Sequence, residues 1–171
     1  MPLSQQVLPV SHLLSYGMLL GTTVYQTFVM TKVAYLALPT SAFTTLQKKV
    51  FPVYFQLQSL LLIATALTYP PASVFALAQA PLDAGLLVFA GATAFANLAK
   101  YGPATTAAMI ARTHQETRDG KKHDDPSGAS EEMRLKKRAF SRNHAMSIHL
   151  NLLSVIATVV YGIRLASRFQ F

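Results

Sequence analysis

The basic residues of this chain are kept apart from its apolar runs, and that segregation limits it to folds that sit in a membrane. No Lys or Arg occurs from Met1 to Thr31 or from Val50 to Ala99, whereas nine occur from Arg112 to Arg142. Basic residues beside apolar runs stay on the cytoplasmic side during insertion. The pattern therefore implies an integral membrane protein with a readable orientation. With 51% hydrophobic and 13% charged residues, the chain has too little charge to cover a soluble surface of its size.

A sequence pI near 9.9 invites a nucleic-acid reading, but six of the seven acidic residues lie in the same stretch as the nine basic ones. That stretch is only modestly positive and has a single aromatic, Phe140, near its end, so membrane retention explains it better than phosphate binding, and no nucleic-acid partner is expected. The absence of cysteine removes disulfides, thiol nucleophiles and iron–sulfur ligation. The first basic residue is Lys32, which leaves neither the basic start of a cleaved signal nor the arginines of a mitochondrial presequence. The first apolar helix is expected to act as its own targeting signal.

Four segments are long enough to span. The first, from about Ser11 to Leu38, would reach ~42 Å at ~1.5 Å per residue, longer than a hydrocarbon core of ~30 Å, so it must tilt or protrude. Residues 41 to 51 read as a short amphipathic interfacial helix, because Phe43, Leu46 and Val50 recur at three and four while Gln47, Lys48 and Lys49 point elsewhere. Pro52 is expected to bend the chain into a second span that Pro70 and Pro71 end. The third starts near Leu82 and is rich in small residues, including Ala84, Gly85, Ala90, Gly91 and Ala94, which suits a central helix. It continues past Asn97, Lys100 and Gly102-Pro103 to about Arg118. Residues 119–128, DGKKHDDPSG, read as a flexible charged loop. Ser130 is placed to cap a last helix with Glu131 and Glu132 in its first turn, running into a fourth span at about Ala145 to Leu165 that Arg164 and Arg168 close.

Four spans put Lys32, Lys48 and Lys49 on the same side as the nine basic residues of the 112–142 stretch. Both termini and the Pro70 to Pro81 loop are then expected to face away from the cytosol. An organelle membrane, mitochondrial outer membrane or endoplasmic reticulum, is expected ahead of the plasma membrane.

Three strings carry a family resemblance: LPTSAFTTLQKKVFPVYF (38–55), NLAKYGPATTAAMIARTHQE (97–116) and FSRNHAMSIHLN (140–151). Their Leu38, Pro39, Phe43, Gln47, Phe51, Pro52, Tyr54 and Phe55, then Asn97, Pro103, Thr105 and Thr106, then His144, Ser147 and Asn151 resemble the transmembrane protein 205-like family, a four-helix domain of unknown function. Ala145 stands where that family usually has Gly, and the charged insertion around 119–128 resembles fungal members. The resemblance implies an integral membrane fold and assigns no activity.

The chemical candidates are few. His144, Ser147 and Asn151 share a face by the three-and-four rule. With Asn97 they are expected to form an intramembrane polar cluster, at ~1 kcal/mol per bond or less, with Asn97 bonding to the fourth helix. The competing reading is a small-molecule, proton or metal site lined by the same side chains. His12 and His149 would have to converge to hold a haem, but His149 lies on nearly the opposite face from Asn151. Lys100 is expected to snorkel to the interface. Gly17 and Gly21 form a GxxxG pair, expected to pack closely within the bundle ahead of a dimer contact. Asp83, at a span edge, is the one carboxylate in any span, so no paired charges are expected in the core.

The sequence thus reads as an all-α integral membrane bundle of four transmembrane helices in a single domain over residues 1–171, with no catalytic residues, metal or cofactor expected. Its expected role is that of a structural or partner-binding membrane component, with the bilayer and either a second copy or another membrane protein as partners. An oligomeric transporter and a haem or metal redox protein are the alternatives.

Overall fold

The computed structural model describes residues 3–123, 125 and 128–168. The helices are α1 (Leu3–Val24), α2 (Thr31–Ala37), α3 (Thr40–Leu67), α4 (Val74–Ala78), α5 (Pro81–Ala96), α6 (Gly102–Asp119) and α7 (Glu131–Ala166). A π-helical segment, Tyr25–Met30, joins α1 to α2, and another, Asn97–Tyr101, joins α5 to α6. Four helices are long and apolar enough to cross a membrane: Val7–Ala37, Thr40–Leu67, Pro81–Asp119 and Glu131–Ala166. The protein is an all-helical, multi-pass membrane bundle.

Each span turns one stripe inward. His12, Tyr16, Leu19, Thr23 and Gln26 are buried on the first, Tyr54, Gln58, Leu61 and Thr65 on the second, and Asp83, Leu87, Ala90, Ala94 and Asn97 on the third. Ser147, Asn151, Ser154, Thr158, Tyr161 and Leu165 are buried on the fourth. All step by three and four, the seam spacing of packed helices. Outward lie large apolar side chains such as Leu14, Leu60, Val88, Phe95 and Ile163. Apolar surface of that extent suits lipid, and it leaves the seam free to be polar.

The third and fourth spans pack most intimately. Ala90 and Ala94 of α5 and Ala157 of α7 are almost fully buried, and the Ser154 hydroxyl reaches the Ala90 carbonyl at 3.2 Å. Without bulk beyond Cβ on these residues, the backbones can approach closely.

Several local expectations meet a different outcome. Residues 41–51 are not a separate interfacial helix; they are the first part of α3, which runs straight through Pro52. Proline costs the helix one N–H donor, a loss membrane helices absorb through neighbours. Here the aromatic rings on either side brace the turn, with Phe51 and Phe55 stacked at 5.8 Å and Tyr54 against Phe55 at 5.1 Å.

The expected bundle packing of Gly17 and Gly21 is also overturned. They fall one and two places off the inward stripe of α1, both are exposed, and a Cβ built on either meets nothing within 4 Å. A glycine that a close approach between spans does require is Gly162, where a Cβ would lie 1.7 Å from the Tyr16 hydroxyl oxygen.

The end of α6 and the start of α7 behave as the turn chemistry directs. Gly120, in the left-handed region at φ 63°, closes α6, and the Ser130 hydroxyl accepts from the Met133 N–H at 3.1 Å. Of the 119–128 loop, residues 124, 126 and 127 lie outside the described residues. Its described flanks are tied down: Ser130 donates to Asp119 at 2.7 Å, the His123 N–H donates to Glu116 at 3.1 Å, and Lys137 donates to the His123 carbonyl at 2.9 Å.

Candidate functional site

The inward stripes meet in a column of polar contacts that runs along the bundle axis. At the end formed by α1, the close of α3, the start of α5 and the close of α7, it is ionic. Asp83 is 1% exposed, and Arg164 Nε donates to its Oδ1 at 2.5 Å. Arg168 Nη2 pairs with Oδ2, which also accepts from the Tyr69 hydroxyl at 2.7 Å. Arg168 Nη1 donates back to the Tyr69 oxygen at 2.5 Å. Burial, and then the bond to Asp83, push the Tyr69 phenol above its ordinary range, so it stays a donor. The expected absence of paired charges in the core is corrected here. Asp83 sits one turn inside the span, and arginines 81 and 85 residues away reach it because α7 runs antiparallel to α5.

Beside this pair stands His12, 1% exposed. Its Nδ1 is 2.9 Å from the Thr65 carbonyl, which can only accept, so Nδ1 carries the proton. Nε2 is then the acceptor for the Tyr161 hydroxyl at 2.6 Å. One imidazole thus ties the first, second and fourth spans together, with the Tyr69 ring edge-on at 5.6 Å. Two bonds to fixed partners occupy both nitrogens and leave no lone pair for a metal.

Further along, Gln58 donates to Ser154 at 3.1 Å. Tyr54 donates to Asn151 Oδ1 at 2.7 Å, and Asn151 Nδ2 donates to Thr27 at 2.9 Å, joining the first, second and fourth spans again. At the far end Asn97 Nδ2 donates to the Ser147 carbonyl at 3.0 Å. Open valences begin here. Asn97 Oδ1, Gln58 Oε1 and both amide atoms of Gln47 are buried without a partner.

Of the four residues expected to form a polar cluster, Asn97, Ser147 and Asn151 line the seam and His144 does not. His144 is exposed on α7 and stacks on Phe140 at 5.1 Å, and Arg112 lies 4.5 Å over the Phe140 ring. Asn151 turns to Tyr54 and Thr27 instead of Asn97, since the stagger of the helices sets those levels opposite each other. His12 and His149 do not converge. His149 is exposed and bonds the Ala145 carbonyl of its own helix at 2.6 Å. The His12 partner Tyr161 lies twelve residues further along α7, about 18 Å of helix. Among the described residues no group of three His, Cys, Asp or Glu side chains could hold a metal ion. Lys100 is exposed, with Nζ 5.3 Å from the Tyr101 ring centroid.

The polar contacts that sequence reasoning missed all involve residues inside apolar runs: His12, Tyr54, Gln58, Tyr69, Asp83 and Tyr161. Their signal was the recurrence of polar or phenolic residues at three and four within each span. Only the fourth span was read that way.

The sequence model described as Domain of unknown function (DUF4149) matches residues 14–114, more than half of the chain. The chain belongs to that family. The matched stretch holds Asp83 and Asn97 and ends before α7. The chain is also 42% identical over 156 residues to Xanthocillin biosynthesis cluster protein D of Aspergillus fumigatus, covering 91% of this chain and 87% of that protein. That alignment is too long to omit α7. No solved structure matches.

Proposed function

We propose that this DUF4149 protein is a structural or partner-binding component of an organelle membrane, of the transmembrane protein 205-like type. The observation that carries this reading is that the polar groups of the interior are largely spent on one another, from Asp83 to Asn151, while large apolar side chains dominate the bundle's outer face. An interior committed to its own hydrogen bonds favours a rigid bundle over one that opens an aqueous path, and the remaining apolar face is free for lipid or another helix. The relative's name places it in a biosynthesis cluster, which supports a place for this chain beside small-molecule production. The charge distribution supports termini and Pro70 to Pro81 loop on the non-cytoplasmic side, with Arg164 and Arg168, the basic residues of that side, partly neutralised by Asp83.

The chain has no cysteine, so single cysteines introduced at Lys121 and Ala72 report orientation directly. An impermeant maleimide is expected to label the first from the cytosol and the second from the opposite side; the reverse pattern overturns the orientation. For the role itself, photocrosslinking from outward positions such as Met18 in native membranes, with mass measurement in mild detergent, should give a complex of defined stoichiometry. A monomer that passes ions or small solutes across liposomes would replace this reading with transport.

A further inference from the structure

A cavity of about 440 Å³ lies between α3 and the third span, against the Asn97–Tyr101 π segment. Each of its walls carries a feature unusual in a helix. On one side α3 carries Pro52, with Phe51 and Phe55 facing the space; on the other the helix passes from π to α at Gly102. Gly102 has a specific reason to be glycine, since a Cβ there would sit 2.7 Å from the Asn97 carbonyl oxygen and 3.3 Å from the Phe55 ring. The volume falls within the range of small-molecule sites, and π segments often mark functional positions.

The polar groups around this space are only partly spent. Asn97 is fully buried in the wall with its Nδ2 taken by Ser147 and its Oδ1 unpaired. Gln56 is exposed at the mouth, and neither its amide nor the Thr106 hydroxyl has a side-chain partner. Unpaired amides within an apolar span are expensive. At the opposite end of the bundle the comparable groups are all paired. No charged side chain lines the cavity, whose remaining surface is aromatic and aliphatic.

We propose that this cavity binds an uncharged, lipid-soluble molecule whose apolar body carries a hydroxyl donor, entering sideways from the bilayer. A hydroxyl suits the Gln56 amide and the Thr106 hydroxyl at the mouth, each of which can accept from it or donate to it, while Asn97 Oδ1 is closed off within the wall. The lateral entry follows from Gln56, Ala107 and Ile110, which line the cavity and are exposed on the face that lipid covers. This site goes beyond the role proposed above and does not depend on it.

Equilibrium binding to the full chain in phosphatidylcholine nanodiscs, corrected with empty nanodiscs, tests the site with matched probes: para-hexylphenol against hexylbenzene, and dodecanol against dodecane. At least one hydroxyl probe is expected to bind saturably, about fivefold or more tighter than its hydroxyl-free counterpart, the ratio one ordinary hydrogen bond provides. Preference for the phenol assigns an aromatic ligand, and preference for dodecanol a lipid alcohol. Gln56→Leu with Thr106→Val should reduce the discrimination, and Ala107→Phe should abolish saturable binding by filling the space. Gln56 and Ala107 are exposed and Thr106 is half-buried, so both variants should keep the wild-type thermal midpoint. Equal binding of each matched pair, or discrimination and capacity unchanged in the folded variants, overturns the proposal.

Discussion

The two ends of the bundle solve the same problem in opposite ways. Around Asp83 the buried polar groups among the described residues are paired: one carboxylate takes two arginines and a tyrosine, and His12 uses both nitrogens. Around Asn97 and Gln47 amide valences stay open, the helix loosens into a π segment, and a cavity replaces packing. The difference teaches that polarity inside a membrane bundle does not by itself make a site. A paired group is a fastener, whereas an unpaired one beside space is an invitation to a ligand. The closed end holds the bundle's shape, so the open end can afford irregular backbone.

The sharpest way to break this comparison is to remove the arginines. Arg164→Ala with Arg168→Ala would strand the buried Asp83 carboxylate, and about 3 to 5 kcal/mol of stability should be lost, read as a fall in the unfolding midpoint in detergent micelles. Adding Asp83→Leu to that variant should recover a large part of the loss. A triple variant as unstable as the double would mean that the pair's geometry, and not the stranded charge, is what matters.

Next in size are the fasteners around His12. Tyr161→Phe leaves Nε2 without its donor and is expected to cost about 1 to 3 kcal/mol by the same measurement. Gly162→Ala should cost a similar amount, about 1 to 3 kcal/mol, because its Cβ and the Tyr16 hydroxyl claim one place. A neutral Gly162→Ala would show that Tyr16 can swing aside freely.

At the open end the same kind of change should be mild. Asn97→Ala removes one bond to Ser147 but also an unpaired carbonyl, so the expected loss is about 1 kcal/mol or less. A penalty as large as that of the arginine pair would erase the distinction between the two ends. Smallest of all, Gly17→Ala and Gly21→Ala should not lower the monomer's midpoint, since both face open space. A change in oligomeric mass with that midpoint intact would assign the glycines to a contact between copies.

Much of this architecture is legible along the chain. Ser130 with Glu131 and Glu132 marks the start of α7, Gly120 the end of α6, and the long apolar runs the four spans, because capping chemistry and hydropathy are local properties. Pro52 was misread as a boundary for an equally local reason: proline's missing donor looks the same in sequence whether or not neighbouring rings support the turn. Asn97 and Ser147 stood out as polar residues at helical spacing. The loss of His144 from that group, and the turn of Asn151 toward Tyr54 and Thr27, depend on how far one helix is staggered along another.

What the sequence determined alone was the number of spans and the asymmetry of charge. Only the tertiary structure decided which face of each span turns inward. In a soluble helix the apolar stripe marks the core, but here lipid and core are both served by apolar side chains, so hydropathy gives little contrast between faces. The contrast came instead from partners far apart in the chain: His12 with Tyr161, 149 residues on, and Asp83 with Arg164, 81 residues on. A buried histidine or carboxylate is tolerable only when such a partner is within reach, and that reach exists only once the four helices have packed.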